Sequence, residues 1–150
     1  MNNLSRALLC SMLATCVSVP ALAALGGDAT SVEADRAKMK GTLHATPTVD
    51  YTLHEIQTPS GIVVREYVSA EGKVFAVSWR GRGMPNLPQL LGDYSAQLAQ
   101  ASSGPHYNHH HLNVVAADVI MQQSAHLHSF FGRAWVPTLL PQNFSLNDIN

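Results

Sequence analysis

The chain has 150 residues, with 9 lysines and arginines against 10 aspartates and glutamates and a formal net charge of −1. That length suffices for one hydrophobic core, and the near-neutral balance without a basic run excludes an electrostatic footprint for nucleic acid or anionic membrane surfaces. Histidine, with 8 copies, is the residue type in clear excess.

Met1 to Arg6 is short, polar and carries one positive charge, and Ala7 to Val19 is an apolar run of secretory-signal length that Pro20 ends. Ala21-Leu22-Ala23 supplies a small-x-small pattern, which predicts a cut between Ala23 and Ala24 and export to the periplasm or beyond the cell. The run is interrupted by Ser11, Thr15 and Ser18 and is shorter than the roughly 20 residues of a bilayer span, so no stable membrane insertion is expected after cleavage. Lipidation at Cys16 is disfavoured, because Thr15 is larger than the residue usual before such a cysteine and the apolar run continues past it. Cleavage removes both cysteines, Cys10 and Cys16, and with them any disulfide or thiolate metal site. The expected organisation is a signal peptide over 1–23, a single α+β domain over 24–141 and a polar tail over 142–150.

Thr30 and Glu33 stand at capping-box spacing, and Ser31 to Lys40 contains good helix formers that stop at Gly41. The apolar face of this helix is thin, so weak docking is expected. Leu43 to Thr48 reads as a connector. Tyr51 to Gln57, Ile62 to Ser69 and Val74 to Arg80 read as strands joined by Thr58-Pro59-Ser60-Gly61 and Ala70-Glu71-Gly72-Lys73, an antiparallel meander. In the second strand Ile62, Val64 and Val68 share one face and Arg65 and Tyr67 the other. In the third, Phe75, Val77 and Trp79 share a face at period two. Asn86 caps a helix whose Leu87, Leu90, Leu91, Tyr94 and Leu98 form an apolar stripe, with Gly92 as a possible bend. Leu112 to Val115, Val119 to Gln123 and Leu127 to Val136 read as three further strands, with turns near Ala116-Ala117-Asp118 and Gln123-Ser124-Ala125. Pro137 to Asn150 reads as an extended tail. The pattern predicts an α+β fold: an antiparallel sheet of about six strands in the order helix-βββ-helix-βββ, with one amphipathic helix packed on a face. An all-β barrel with a plugging helix is the competing architecture.

Val64-Arg65-Glu66-Tyr67-Val68-Ser69, Gly72-Lys73-Val74-Phe75-Ala76-Val77-Ser78-Trp79 and Leu87 with Gln89-Leu90-Leu91-Gly92-Asp93-Tyr94 resemble the domain-of-unknown-function family 2844, small exported proteins of Gram-negative bacteria. Ser124-Ala125-His126-Leu127-His128, Gly132-Arg133-Ala134-Trp135-Val136-Pro137 and Leu140-Pro141 are similar to that family's end. The sequence departs from the pattern at Arg82, where proline is more usual, and at His128, where a basic residue is more usual. The resemblance implies an exported α+β domain and supplies neither a function nor site residues.

The residues themselves offer one chemical constellation. His106, His109, His110 and His111 crowd one segment, and His126 and His128 follow one strand later. Imidazole is a common ligand for Zn, Cu and Ni, and an i, i+2 pair on a strand projects both rings to one face. His106, His109, His111, His126 and His128 are therefore candidate metal ligands, with Zn or Cu as the possible cofactor. Against this, no carboxylate accompanies the run and no fixed zinc spacing is present. Glu66 falls on the Val64/Val68 face, and the burial habits of carboxylates predict that it ends at a rim beside Arg133 or Arg80. Arg80-Gly81-Arg82-Gly83 is a short cationic loop that reads as a solvated connector, or as a place where an anionic group could meet a sheet end. The serines lack a nucleophile-elbow context and no phosphate loop is present, so enzyme activity is not favoured. The preferred expectation is a non-enzymatic periplasmic module that binds an unknown protein or small molecule of the cell envelope. A histidine-based metal-binding protein is the alternative.

Overall fold

The structure, a computed structural model, describes residues 25–103 and 111–150. Asp28 opens the first helix, α1 (Ala29–Met39), by accepting the Thr30 N–H on its side chain at 2.9 Å. The cap is therefore Asp28 and not Thr30, whose hydroxyl bonds the same carboxylate. Lys40, at φ 53°, takes the left-handed conformation that closes the helix.

Four strands follow: β1 (Thr42–Pro47), β2 (Tyr51–Gln57), β3 (Val63–Ser69) and β4 (Val74–Gly81). The segment expected as a connector is β1, paired with β2 along its whole length. It lacks hydrophobic alternation because it is an edge strand with only Leu43 partly covered, so backbone pairing rather than burial holds it. Pro47 sits at its end, where the sheet tolerates a missing donor.

The expected single helix over Leu87 to Leu98 is two: α2 (Leu87–Leu91) and α3 (Tyr94–Ala101). Gly92, at φ 53° and ψ −131°, breaks the helix in a conformation that non-glycine residues avoid. Asn86 caps α2 as expected, its Oδ1 accepting from the Gln89 N–H at 3.2 Å.

The chain then adds β5 (His111–Val115), β6 (Ile120–His126) and β7 (Ser129–Trp135). The turn expected at Gln123-Ser124-Ala125 lies instead at Leu127-His128, both at positive φ, and β6 runs straight through the three polar residues. The fold is thus α+β with seven antiparallel strands, not six, in the sheet order β1-β2-β3-β4-β7-β6-β5. Its element order departs from helix-βββ-helix-βββ through the extra edge strand and the split helix.

Both faces of the sheet are covered. On one, Val32 of α1, Leu90 and Leu91 of α2 and Leu98 of α3 pack on Ile56, Val64, Val77, Val114 and Ala134. On the other, Tyr67, Phe75, Ala76 and Trp135 meet Leu139, Leu140, Phe144 and Ile149. The segment expected as an extended tail therefore folds back through 3-10 turns at Pro137–Leu139 and Leu146–Asp148 and lies on the sheet. Its apolar residues are too few and too widely spaced to signal burial by periodicity. A register shift in the β3–β4 pairing, between Tyr67 and Val68, leaves Phe75 without a partner in the ladder. That bulge reverses the parity, so Phe75 joins the tail-side core while Val77 and Trp79 face the helices.

Trp79 lies flat on Gly132, its cross-strand partner. A Cβ at position 132 would stand 2.7 Å from the Trp79 Nε1 and closer still to its ring carbons. Gly132→Val is expected to destabilise the fold by about 2–3 kcal/mol through overpacking. At Gly83 an added Cβ meets only Ile62, at 3.5 Å, so Gly83→Ala changes urea stability little.

Candidate ligand site

Register, not sequence proximity, assembles the polar surface. Directly opposed residues on β4, β7, β6 and β5 form two rows: Arg80–Phe131–Ser124–His111, and two positions along, Ser78–Arg133–Gln122–Asn113. Opposed residues share a face and so do residues two apart, so both rows stand on the tail side. The second row continues through Arg65, Glu55 and His44 across the remaining strands, a polar belt spanning the sheet.

The tail divides this belt. Asn150 sits over its middle, where its main-chain oxygen accepts from Ser78 Oγ at 3.0 Å and from Arg65 Nη1 at 2.5 Å. Arg65 also donates from Nε to Glu55 Oε2 at 2.8 Å. Gln57 and Arg65, by hydrogen bonding, hold the Glu55 carboxyl below its ordinary range. Tyr67 OH donates to the Asp148 carbonyl at 3.0 Å and accepts the Asn150 N–H at 3.2 Å.

Beyond Asn150 the two rows floor an open basin of about 560 Å³, walled by Ile149 and Asn150. Its volume falls within the usual range for small-molecule pockets. No Asp or Glu side chain lines it. Arg133 meets only neutral acceptors: Nε and Nη2 donate to Gln122 Oε1 at 2.9 and 2.7 Å, and Nη1 to the Leu146 carbonyl at 2.8 Å. Its guanidinium lies 5.5 Å from the centre of the Trp135 ring. Arg80 is exposed and has no ion-pair partner among the described residues.

The sequence-predicted ligands are distributed unevenly. His111 lines the basin from the edge strand. His126 ends β6 on the same face, two residues beyond the His111 partner Ser124, which sets the pair on a diagonal about 7–8 Å long. His128 belongs to the turn, at φ 64°. His106, His109 and His110 lie outside the described residues. Among the described residues no three His, Cys, Asp or Glu side chains gather as a metal site would need. Arg80, read both as the last residue of a strand and as the start of the cationic Arg80–Gly83 connector, is a strand residue on the basin floor. Asn113, Gln122 and Arg133 carry no local motif. Only the strand register could have singled them out.

A second polar constellation is buried on the helix side. Glu66, expected at a rim beside Arg133 or Arg80, is instead fully buried against Asp35 of α1, itself fully buried. Strand parity sends Glu66 toward the helices while both arginines face the tail. The Gln89 amide of α2 donates to Asp35 Oδ1. No donor among the described side chains or backbone reaches Asp35 Oδ2 or either Glu66 oxygen, so a proton shared by the pair is the group that can satisfy them. Burial, and then the neighbouring Asp35 charge, push the Glu66 carboxyl well up. Burial also raises Asp35, against the pull of Gln89, Glu66 and Lys38. His54, directly opposite Glu66 on β2, is lowered by burial.

No curated protein and no solved structure matches the chain. Residues 21–149 match the family model described as Protein of unknown function (DUF2844). With the match covering nearly all of the chain, this protein belongs to the DUF2844 family.

Proposed function

We propose that the chain is an exported, non-enzymatic binding module that takes a small molecule of the cell envelope into the basin on the tail side of its sheet. The observation that carries this reading is the pair of registered rows, Arg80–Phe131–Ser124–His111 and Ser78–Arg133–Gln122–Asn113, which converge polar groups and one exposed aromatic ring on a concave floor. Guanidinium, amide and hydroxyl groups on rigid strands are suited to recognition, since their positions are fixed by the ladder. Export is supported by the leader-like residues 1–23, and by Leu25, which is buried and donates its N–H to the Leu90 carbonyl at 3.0 Å. A cut between Ala23 and Ala24 leaves that anchor intact. The mass of the protein recovered from the periplasm or medium checks the cut.

A thermal-shift screen of the full chain against small molecules of both charge signs tests the binding role. Binders are expected to raise Tm, and Gln122→Leu is expected to abolish the shift. Shifts that are indifferent to Gln122→Leu and Phe131→Ser would place binding elsewhere and overturn the reading.

A second reading, a Zn or Cu site, is favoured by the shared face of His111 and His126. It requires that Zn²⁺ binding, read by calorimetry, weaken at least tenfold in a His111→Ala/His126→Ala double variant. Binding unchanged by the double variant removes it.

A further inference from the structure

We infer that the basin recognises an oxyanion attached to a flat ring, the oxyanion against Arg80 and Arg133 and the ring over Phe131. This rests on the binding reading above and names the class of ligand. Three features of the basin point to it, each independent of the others.

The first is charge. Two guanidiniums stand on the floor, no Asp or Glu side chain lines it, and Arg80 acts on Glu55 only through space, without an ion pair among the described residues. Arg65, on the neighbouring strand, shows the contrast: it is matched by Glu55 at 2.8 Å. An unmatched guanidinium on a concave, partly water-excluded surface favours an anionic partner, and carboxylate or phosphate oxygens fit its planar fork.

The second is the sense of the hydrogen bonds. Gln122 Oε1 accepts both the Nε and the Nη2 protons of Arg133. That fixes the amide, so its Nε2 is left as a donor. Arg133 in turn is held by the Leu146 and Ile149 carbonyls, at 2.8 and 3.3 Å, and is not free to swing away. Arg80 makes no hydrogen bond among the described residues that would occupy its donors. The basin therefore presents donors in excess of acceptors, the complement of an oxyanion rather than of an ammonium or a metal ion.

The third is Phe131. It is 48 % exposed, yet stands in register between Arg80 and Ser124 on the floor. A half-exposed aromatic face beside cationic donors offers a stacking platform for one ring. Arg80 and Phe131 are direct cross-strand partners, with backbones about 4.8 Å apart, so they rise from the floor side by side and one small ligand can meet both.

The test is calorimetric titration of the full chain with four probes: phenyl phosphate, benzoate, inorganic phosphate and phenol. Phenyl phosphate and benzoate are expected to bind at least tenfold more tightly than phenol, and phenyl phosphate more tightly than inorganic phosphate. Arg80→Gln is expected to weaken both aromatic anions at least tenfold. Phe131→Ser is expected to bring phenyl phosphate down to the affinity of inorganic phosphate. Both replaced side chains are exposed, so the variants fold, and wild-type urea midpoints verify it. Raising the salt concentration weakens the anions and leaves phenol unchanged. If phenol binds as tightly as phenyl phosphate and Phe131→Ser removes both, the ligand class is overturned while the binding module stands. If none of the probes binds, the ligand class is overturned, and the thermal-shift screen independently decides the binding role.

Discussion

Replacing Phe144 by alanine is expected to lower the stability of the fold by about 3 kcal/mol, the low end for truncating a packed phenylalanine because the ring is only partly buried. Phe144 stands among Tyr51, Tyr67 and Phe75, with ring centroids at 5.2, 6.0 and 4.7 Å and each pair edge-on. With Leu139, Leu140 and Ile149 it holds the last residues of the fold against the tail-side face. Losing it also loosens the turn that carries Leu146 and Asp148, whose carbonyls accept from Arg133 and Tyr67. The buried Tyr67 hydroxyl, left without its acceptor, adds to the loss of packing. Leu146→Ala removes a side chain that is 38 % exposed and is expected to change stability by less than about 0.5 kcal/mol. Urea midpoints for the two variants check both statements. Equal midpoints would show that the tail contributes no core.

The second large effect concerns the carboxyl pair. Glu66 holds its proton more tightly in the folded chain than in the unfolded one, because burial and the Asp35 charge oppose its ionisation. Its contribution to stability is therefore fully present below its ordinary value of 4.5 and is lost as pH rises through the folded-state value. Asp35 shifts in the same direction, with Gln89 as its fixed donor and Lys38 as the nearby cation. His54 acts in the opposite sense: its lowered value means stability present above 6.5 and lost as pH falls through the folded-state value. Comparing wild type with Glu66→Gln cancels the His54 contribution. The glutamine amide donates to Asp35 without needing a proton, so Glu66→Gln is expected to exceed the wild type in stability by about 1–3 kcal/mol at pH 8, the range for a buried group left without its partner. At pH 4 the two are expected to agree within about 0.5 kcal/mol. Parallel curves across that range would show that the pair does not titrate.

How legible all this was in the sequence depends on whether periodicity or register carried the information. The strands from Tyr51 to Arg80 were readable because β-branched and aromatic residues alternate between turn residues. The stripe Leu87 to Leu98 announces a packed helical segment, and Gly92, which reads as a bend, is where the structure splits it in two. An edge strand needs no apolar alternation, so β1 reads as a connector in the sequence. Strict alternation puts Phe75 with Val77 and Trp79, and the bulge that separates it from them changes parity without leaving a local mark. Alternation puts Glu66 on the side of its strand that it occupies, but its partner Asp35 lies on a distant helix, and burial preferences alone argue for the rim. The histidine cluster was the visible motif, yet the basin is built from Arg80, Arg133, Gln122 and Asn113, which become neighbours only when β4, β7, β6 and β5 are placed side by side. A site made by cross-strand register has no one-dimensional spacing to read.

The most direct measurement is amide shift mapping of the isotope-labelled full chain during titration with phenyl phosphate. Saturable shifts are expected to cluster at Arg80, Asn113, Gln122, Ser124, Phe131 and Arg133, on adjacent positions of four strands. Shifts centred on the helix side around Asp35 and Glu66, or scattered without saturation over the surface, would contradict the basin as the working face of this protein.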